Sequence, residues 1–156
     1  MPKIHEGNLS GKGLRVGIIQ SKFNHFITDR LLDGAIEGLT KCGVDDSAIQ
    51  VYRVPGSFEI PVIMKKLASG GNFDVLIAIG AIIRGETPHY DYLSAEVTKG
   101  IAYVALEAGI PVINGVLTTD DVAQAIDRAG VKEGNKGYDA ALNAVEVGAL
   151  FKTKKL

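Results

Sequence analysis

Asp-Val-Leu-Ile-Ala-Ile-Gly, residues 74–80, is an almost continuous apolar run, and it leads through a turn containing Gly85 and Pro88 into His89 and a helical pattern. Apolar runs of this length are typical of strands buried on both faces, as in a parallel sheet. Amides at the start of a helix attract anions, and an imidazole beside them can move protons near neutral pH. The segment therefore predicts a buried strand that ends in a small-molecule site. A plain surface turn with an exposed histidine is the alternative.

Three more runs of strand length occur at residues 14–20, 49–54 and 111–117, and helical segments separate them. Two helical segments follow the last run, so the order is βαβαβαβαα. Because crossovers between parallel strands are right-handed, this order predicts a four-stranded parallel sheet with helices on both faces. We expect a single domain over residues 1–156, in which residues 1–13 form a polar N-terminal arm outside the core.

Finer signals mark the ends and the inner faces of the helices. Cys42 and Gly43 end the first helix, and Thr118 with Asp121 has the spacing of a capping box before the fourth. The third helix is predicted to face the sheet with Leu93, Val97, Ile101, Val104, Ala105 and Ala108. The last helix, from about residue 138 to 151, is predicted to face it with Ala141, Leu142, Val145 and Ala149.

Charge and composition limit the partners. The chain has 17 basic and 18 acidic side chains and a net charge of −1, which predicts no nucleic-acid or anionic-membrane surface. Cys42 is the single cysteine, so an internal disulfide and the usual zinc spacings are excluded, and no metal site is expected. The apolar runs are far shorter than the about 18 residues of a membrane helix, and the N-terminus lacks the apolar core of a secretion signal. We expect a cytoplasmic protein that binds a small molecule or another protein.

The turns that follow the four strands carry the candidate site. Ligands of doubly wound sheets bind at the carboxyl ends of the strands, so these turns should share one edge. They comprise residues 21–24, 55–59 and 81–89, together with the end of the fourth strand at residues 114–119. Their aromatic faces, hydroxyls, carboxylate and histidine suit a planar, polar heterocycle that carries hydroxyl groups.

Several of these residues also have purely structural alternatives. Phe23 is as well placed to cover the core of its own chain as to stack on a ligand. Ser57 suits a helix N-cap and Glu59 a favourable acid in the first turn. Arg128 and Lys136 flank a glycine-bearing loop, where basic side chains are usually solvated. The chemistry of the single residues leaves these alternatives open.

Five motifs, in order along almost the whole chain, together resemble the lumazine synthase family. They are Phe23-Asn24, the segment 54–61 (Val-Pro-Gly-Ser-Phe-Glu-Ile-Pro), residues 80–92, Gly115-Val116-Leu117-Thr118, and Arg128-Ala129-Gly130 with Asn135-Lys136-Gly137. The resemblance implies a flavodoxin-like domain that assembles as homo-pentamers, with active sites shared between adjacent subunits. It also implies that residues 1–13 add a strand to a neighbouring subunit's sheet.

The same resemblance implies the reaction. The enzyme would condense 5-amino-6-(D-ribitylamino)uracil with 3,4-dihydroxy-2-butanone 4-phosphate to 6,7-dimethyl-8-ribityllumazine, releasing phosphate and water, in the penultimate step of riboflavin biosynthesis. It would need no cofactor and no metal, because proximity and acid–base catalysis can carry each step.

Each residue that matches a motif acquires an implied role. His89 is the catalytic residue for proton transfer. The substrate-binding residues of the same subunit are Phe23 for the pyrimidine, Ser57, Phe58 and Glu59 for the ribityl chain and ring, the backbone of Ala81, Ile82 and Ile83 for the ring edge, and Glu86 and Thr87 for the phosphate. From the adjacent subunit, Arg128 would pair with the phosphate and Lys136 would lie nearby.

Asn114 departs from the family pattern, which commonly has a phenylalanine that covers the ring from the neighbouring subunit. An asparagine can hydrogen-bond the ring edge but stacks less well, at a loss on the order of 1 kcal/mol. The loop from Ala129 to Gly137 is short, as in family members that build shells. The resemblance therefore implies a hollow icosahedral capsid, with riboflavin synthase as a candidate enclosed partner.

Two other functions remain open at this stage: a non-catalytic flavin- or lumazine-binding shell protein, and an archaeal-type riboflavin synthase. His89 with Arg128 favours the lumazine-forming enzyme. A carrier needs neither proton transfer nor a phosphate clamp, and riboflavin synthase has less use for a phosphate site.

Overall fold

The computed structural model of the protein describes residues 1–130 and 134–156, and its elements follow the predicted order. The strands are β1 (Val16–Ser21), β2 (Ile49–Val54), β3 (Val75–Ile83) and β4 (Val112–Thr119). The helices are α1 (His25–Lys41), α2 (Ile60–Ser69), α3 (His89–Ala108), α4 (Val122–Arg128) and α5 (Lys136–Lys154). Short 3-10 helices at Asp46–Ala48 and Ser57–Glu59 precede β2 and α2.

The four strands form one all-parallel sheet in the order β2-β1-β3-β4. Helices α1, α4 and α5 pack on one face and α2 and α3 on the other, which confirms the predicted three-layer α/β sandwich. Neighbouring residues of β1 point to opposite layers, as Ile18 and Ile19 do. Because the connections after β1 and β3 leave in opposite directions, a crevice opens between the carboxyl ends of these two strands.

The strand β3 continues three residues beyond the predicted end at Gly80. Its pairing with β1 stops at Ile79, opposite Gln20, whereas its pairing with β4 continues to Ile83, opposite Thr119. The prediction missed this extension because a local apolar pattern does not show how far the partner strand runs. As a result, residues 81–83 lie in a strand and not in a turn, and one edge of that strand faces the crevice.

Two of the finer expectations are wrong. In α3 the side chains of Val97, Ile101 and Val104 are buried as predicted, but Ala108 is exposed, because it is the last helical residue and the chain turns away through Gly109 at φ 66°. The capping box is absent at Thr118, since β4 still continues there.

The helix α4 is capped three residues further along. The Asp121 side chain accepts a hydrogen bond from the Gln124 amide at 2.8 Å, and the Gln124 side chain accepts one from the Asp120 amide at 2.8 Å. The first helix ends as predicted, with Cys42 at its C-cap. Burial raises the pKa of the Cys42 thiol, which keeps it protonated.

The N-terminal arm lies largely outside the core. Residues 1–10 form no regular secondary structure and are almost all exposed. The arm already lies against α5 at Gly7, where an added Cβ would overlap the Glu146 carbonyl. The Gly11 amide donates to the Cys42 carbonyl at 2.7 Å, and Leu14 is buried. Within the part of the chain that the structure describes, no helix has both the length and the apolar character needed to cross a membrane.

Helices α1 and α5 approach each other closely, and glycine makes this possible. A Cβ atom at Gly137 would overlap the backbone carbonyl of Leu31. Beside this contact the Asn135 side chain donates to the Arg30 carbonyl at 3.0 Å and accepts from the Gly137 amide at 2.8 Å. The start of α5 is therefore fixed directly to the middle of α1.

Candidate functional site

A cavity of about 590 Å³ lies at the carboxyl ends of β1 and β3, in the crevice between these strands. It is lined by residues 23, 24, 56–58, 81–83, 85, 87, 89, 90 and 93. A volume of this size accommodates a heterocycle with a short polar chain. The cavity thus brings together the turns after β1, β2 and β3, as the sequence predicted for one edge of the sheet.

Two phenylalanines stand at this cavity with most of their surface exposed. The exposed fraction is 71% for Phe23 and 68% for Phe58. Neither ring can therefore be covering the core of its own chain, and the structural alternative for Phe23 is wrong for the single subunit. Exposed aromatic rings at a cavity are suited to stacking on a planar ligand.

Asn24 fixes the turn that carries Phe23. Its backbone is left-handed, with φ 62° and ψ 41°, a conformation that asparagine tolerates better than most residues. Its side-chain amide donates to the carbonyl of Ala81 at 2.9 Å, and this bond ties the turn after β1 to β3. Asn24 was included in a motif of the sequence, but no role was predicted for it. The tolerance of asparagine for a left-handed backbone could have indicated a turn at this position.

The open edge of β3 offers main-chain hydrogen-bonding groups to the cavity. The backbone N–H and C=O groups of successive residues point alternately to the two edges of a strand. The Arg84 amide donates to the Thr119 carbonyl on the β4 side, whereas the Ala81 carbonyl accepts from Asn24 on the opposite side. By this alternation Ala81 and Ile83 present their backbone groups to the cavity. Ile82 lines the cavity too, but its backbone groups lie on the β4 side.

Ser57 lines the cavity and is buried, unlike the exposed Phe58 that follows it. Ser57 is not the predicted N-cap: it belongs to the 3-10 helix, Gly56 precedes that helix as its cap, and the side chain is buried. A Cβ atom at Gly80 would come within 2.7 Å of the Ser57 hydroxyl and 3.1 Å of the Ser21 hydroxyl. Gly80 therefore leaves the space in which these two hydroxyls sit.

Of the other four side chains predicted to contact the substrates from this subunit, two line the cavity and two do not. Thr87 and His89 line the cavity and are exposed, and His89 is the first residue of α3. Glu86 is exposed in the same loop, but its side chain is not among the lining groups. Glu59 is half-buried at the start of α2 and also lies outside the lining.

Three predicted residues, Asn114, Arg128 and Lys136, line a separate cavity of about 440 Å³ between β4, α4 and α5. The two cavities have no lining residue in common. The half-buried Arg128 guanidinium donates to the Gln124 carbonyl at 3.3 Å, and the Lys136 ammonium lies 3.8 Å from the Asp139 carboxylate. Within one subunit, the basic residues are therefore not part of the His89 cavity.

Asn114 is exposed in this second cavity. Its side-chain oxygen accepts a hydrogen bond from the Val116 amide at 3.0 Å. This bond distinguishes the oxygen of the Asn114 side chain from its nitrogen, so the nitrogen is the atom that could donate to a ligand.

Arg84 is a residue that sequence reasoning missed. Its side chain donates to Asp120 at 3.2 Å, pairs with Asp91 at 3.3 Å and stacks on Tyr90, with 4.3 Å between the guanidinium carbon and the ring centroid. The hydrogen bond to Asp120 and the charges of both carboxylates raise the pKa of Arg84. A local sequence pattern could not predict the contact with Asp120, because Asp120 is 36 residues away in sequence.

Among the residues that the structure describes, no cluster of three or more histidine, cysteine, aspartate or glutamate side chains is arranged to hold a metal ion.

The comparison with known families agrees with the motifs. The family model for 6,7-dimethyl-8-ribityllumazine synthase matches residues 13–152, which include every strand, every residue that lines either cavity and all five motifs. Only residues 1–12 and the last four residues fall outside the match. This match over most of the chain, together with the parallel sheet and the motif residues gathered at its carboxyl edge, shows that the chain belongs to the 6,7-dimethyl-8-ribityllumazine synthase family, a family of transferases in riboflavin biosynthesis.

Proposed function

We propose that the protein condenses 5-amino-6-(D-ribitylamino)uracil with 3,4-dihydroxy-2-butanone 4-phosphate to form 6,7-dimethyl-8-ribityllumazine, phosphate and water. The observation that carries this proposal is the open edge of β3 beside the exposed ring of Phe23, with His89 at the same cavity. A stacking surface next to a line of backbone donors and acceptors matches a pyrimidine, which has a flat face and a polar edge.

In this proposal the pyrimidine stacks on Phe23 and its edge bonds to the backbone of β3. We assign the contacts with the ring edge to Ala81 and Ile83, because the backbone groups of Ile82 lie on the β4 side. The ribityl hydroxyls bond to Ser57 and to the backbone near Phe58. Glu59 is the least supported of the predicted contacts, since its carboxylate is not at the cavity surface.

The butanone phosphate binds at the start of α3 in this proposal, where helix amides favour an anion. Thr87 contributes its hydroxyl, whereas Glu86 contributes its backbone amide because its carboxylate would repel the phosphate. Arg128 of an adjacent subunit pairs with the phosphate. One of its nitrogens is held by the Gln124 carbonyl, and the rest of its fork is available for the oxygens.

The chemistry needs proton transfer at several steps. The primary amine of the pyrimidine attacks the ketone and water leaves, which gives a Schiff base. Loss of a proton from the hydroxyl-bearing carbon then expels phosphate and leaves an enol, which takes up a proton at its terminal carbon to become a ketone. The second amine adds to this new ketone and loses water, which closes the ring. His89 accepts and returns protons, while the cavity holds the two substrates together.

The separation of the two cavities supports an active site shared between subunits. One subunit would supply Phe23 and His89, and its neighbour would supply Asn114, Arg128 and Lys136, in a homo-pentamer. Contacts between the two different faces would be heterologous and would close as a ring. The exposed N-terminal arm is long enough to pair with a strand of the neighbouring subunit.

We also propose that the pentamers assemble into a hollow icosahedral shell that has room for riboflavin synthase. The prediction rests on the short loop from Ala129 to Gly137, of which residues 131–133 lie outside the described part of the chain. Light scattering or native mass spectrometry should give a mass near that of about sixty chains, because the smallest icosahedral shell is built from about twelve pentamers. A solution that contains free pentamers alone would contradict the shell.

The experiment that tests the proposed activity combines the purified protein with both substrates and follows lumazine fluorescence and phosphate release together. The two products should appear in equal amounts. His89→Ala should lower the turnover rate by at least about tenfold and leave binding of the pyrimidine intact, because general acid–base catalysis supplies at least that factor. Binding of the pyrimidine without any turnover in the unchanged protein would identify a carrier instead of an enzyme.

A further inference from the structure

The loop of residues 85–88 connects β3 to the helix that begins with His89, and all four of its residues are exposed. A Cβ atom at Gly85 would have no neighbouring atom within 4 Å, so this part of the loop is not packed against the domain. The position of His89 relative to β3 must therefore be maintained by contacts outside the loop itself.

Arg84 provides such contacts. Its backbone amide is fixed to β4 by the 2.9 Å hydrogen bond to the Thr119 carbonyl. From this fixed point its side chain reaches the first turn of α3, where it pairs with Asp91 and stacks on Tyr90. The same guanidinium bonds to Asp120 in the turn after β4. One side chain thus joins β3, the end of β4 and the start of α3.

We propose that Arg84 is a positioning residue, which holds the first turn of α3, and with it His89, in place against the end of the sheet. The proposal rests on the proposed function for the part played by His89. Tyr90 lines the same cavity as His89, so the stacked pair also shapes the wall next to the reacting groups.

Charge argues against a direct contact between Arg84 and the phosphate. Two carboxylates, Asp91 and Asp120, already lie within 3.3 Å of the Arg84 guanidinium and compensate its charge. Arg128 differs, because the described residues place no carboxylate within ion-pair distance of its guanidinium. The two arginines are therefore suited to different tasks, positioning by Arg84 and anion binding by Arg128.

The expected effect falls on kcat and not on stability. Exposed ion pairs contribute little to the free energy of unfolding. A displacement of a catalytic group by about 1 Å, in contrast, can lower the rate about 100-fold. Arg84→Met should lower kcat by about 30-fold and change each KM by less than about threefold. Arg84→Lys keeps the charge but loses the planar guanidinium, so its kcat should lie between those of Arg84→Met and the unchanged protein.

A matched control lies at the opposite end of the sheet. Arg15 bonds to Asp74 through its side chain at 3.1 Å, with a comparable exposure, and is far from the cavity in the fold. Arg15→Met should leave kcat unchanged. Asp120→Asn should reproduce part of the loss caused by Arg84→Met, and the double variant should be no slower than Arg84→Met alone.

A readout independent of activity separates this proposal from the proposed function. Hydrogen exchange followed by mass spectrometry should show faster exchange of residues 85–92 in Arg84→Met and no change there in Arg15→Met. Should the unchanged protein lack turnover, the proposed function fails, and faster exchange in Arg84→Met still supports the positioning. Unchanged kcat and unchanged exchange would overturn it, as would a rise in KM for the butanone phosphate at constant kcat, which would make Arg84 a substrate contact.

Discussion

His89→Ala and Arg128→Ala subunits, each nearly inactive alone, should regain about a quarter of the wild-type activity when they are unfolded together in equal amounts and reassembled. The reason is that in the proposed assembly each active site takes one side from each of two adjacent subunits, so a random arrangement pairs two intact sides at roughly one interface in four. The separation of His89 and Arg128 into two cavities that have no lining residue in common is the basis of this expectation.

The measurement is the rate of lumazine formation per active chain, compared with each variant refolded alone. Mixing the assembled variants without unfolding, under conditions in which subunits do not exchange, should restore nothing, and this control excludes contamination by active protein. Native mass spectrometry of tagged chains confirms co-assembly. If activity stays at the level of the separate variants although mixed assemblies form, His89 and Arg128 act from the same subunit.

Gly137→Ala should lower the free energy of unfolding by about 3 kcal/mol or more, at the upper end of the range for overpacked cores. The added methyl group would overlap the backbone carbonyl of Leu31, and a backbone carbonyl cannot rotate away as a side chain can. Helices α1 and α5 would have to separate, with loss of the bonds that Asn135 makes to both. The intrinsic gain of alanine over glycine in a helix, about 1 kcal/mol, is too small to offset this.

Gly70→Ala is the matched control. Gly70 has an ordinary right-handed backbone, with φ −78° and ψ −14°, and an added Cβ would find its nearest neighbour at 3.5 Å. Its effect should stay within about 1 kcal/mol. Urea unfolding at one fixed chain concentration gives both values, because the proposed assembly would add to the apparent stability. Equal stabilities of the two variants would show that α1 and α5 can move apart without cost.

The sequence was sufficient to predict those parts of the fold that depend on local patterns. The bounds of β2, the order of the elements and the layers follow from apolar periodicity and from the geometry of parallel crossovers. The ends of β3 and β4 were missed because each depends on how far the other runs. Thr118 was assigned to the cap of α4 for the same reason, whereas the structure still pairs it with Ile82.

For the candidate site, the residue types in the sequence indicated which side chains could bind a ligand, but the contacts between these side chains could not be predicted. Phe23 had two equally good interpretations until its exposure distinguished them. Asn24 and Arg84 act across turns and strands that are far apart in sequence, so their partners could not be predicted from spacing. The division of the predicted residues between two cavities depends on the packing of α4 and α5 against β4, which no motif describes.

The extension of β3 pairs with β4 on one edge, but on its other edge, beyond the end of its pairing with β1, residues 1–130 and 134–156 supply no partner strand. A ligand bound there would occupy the place of the missing strand, and in the proposed function it would be recognised by atoms that every amino acid has. Substitutions at Ala81 or Ile83 would then alter the volume of the cavity and leave its pattern of donors and acceptors unchanged. Recognition of this kind tolerates change in sequence and depends instead on the register between two neighbouring strands.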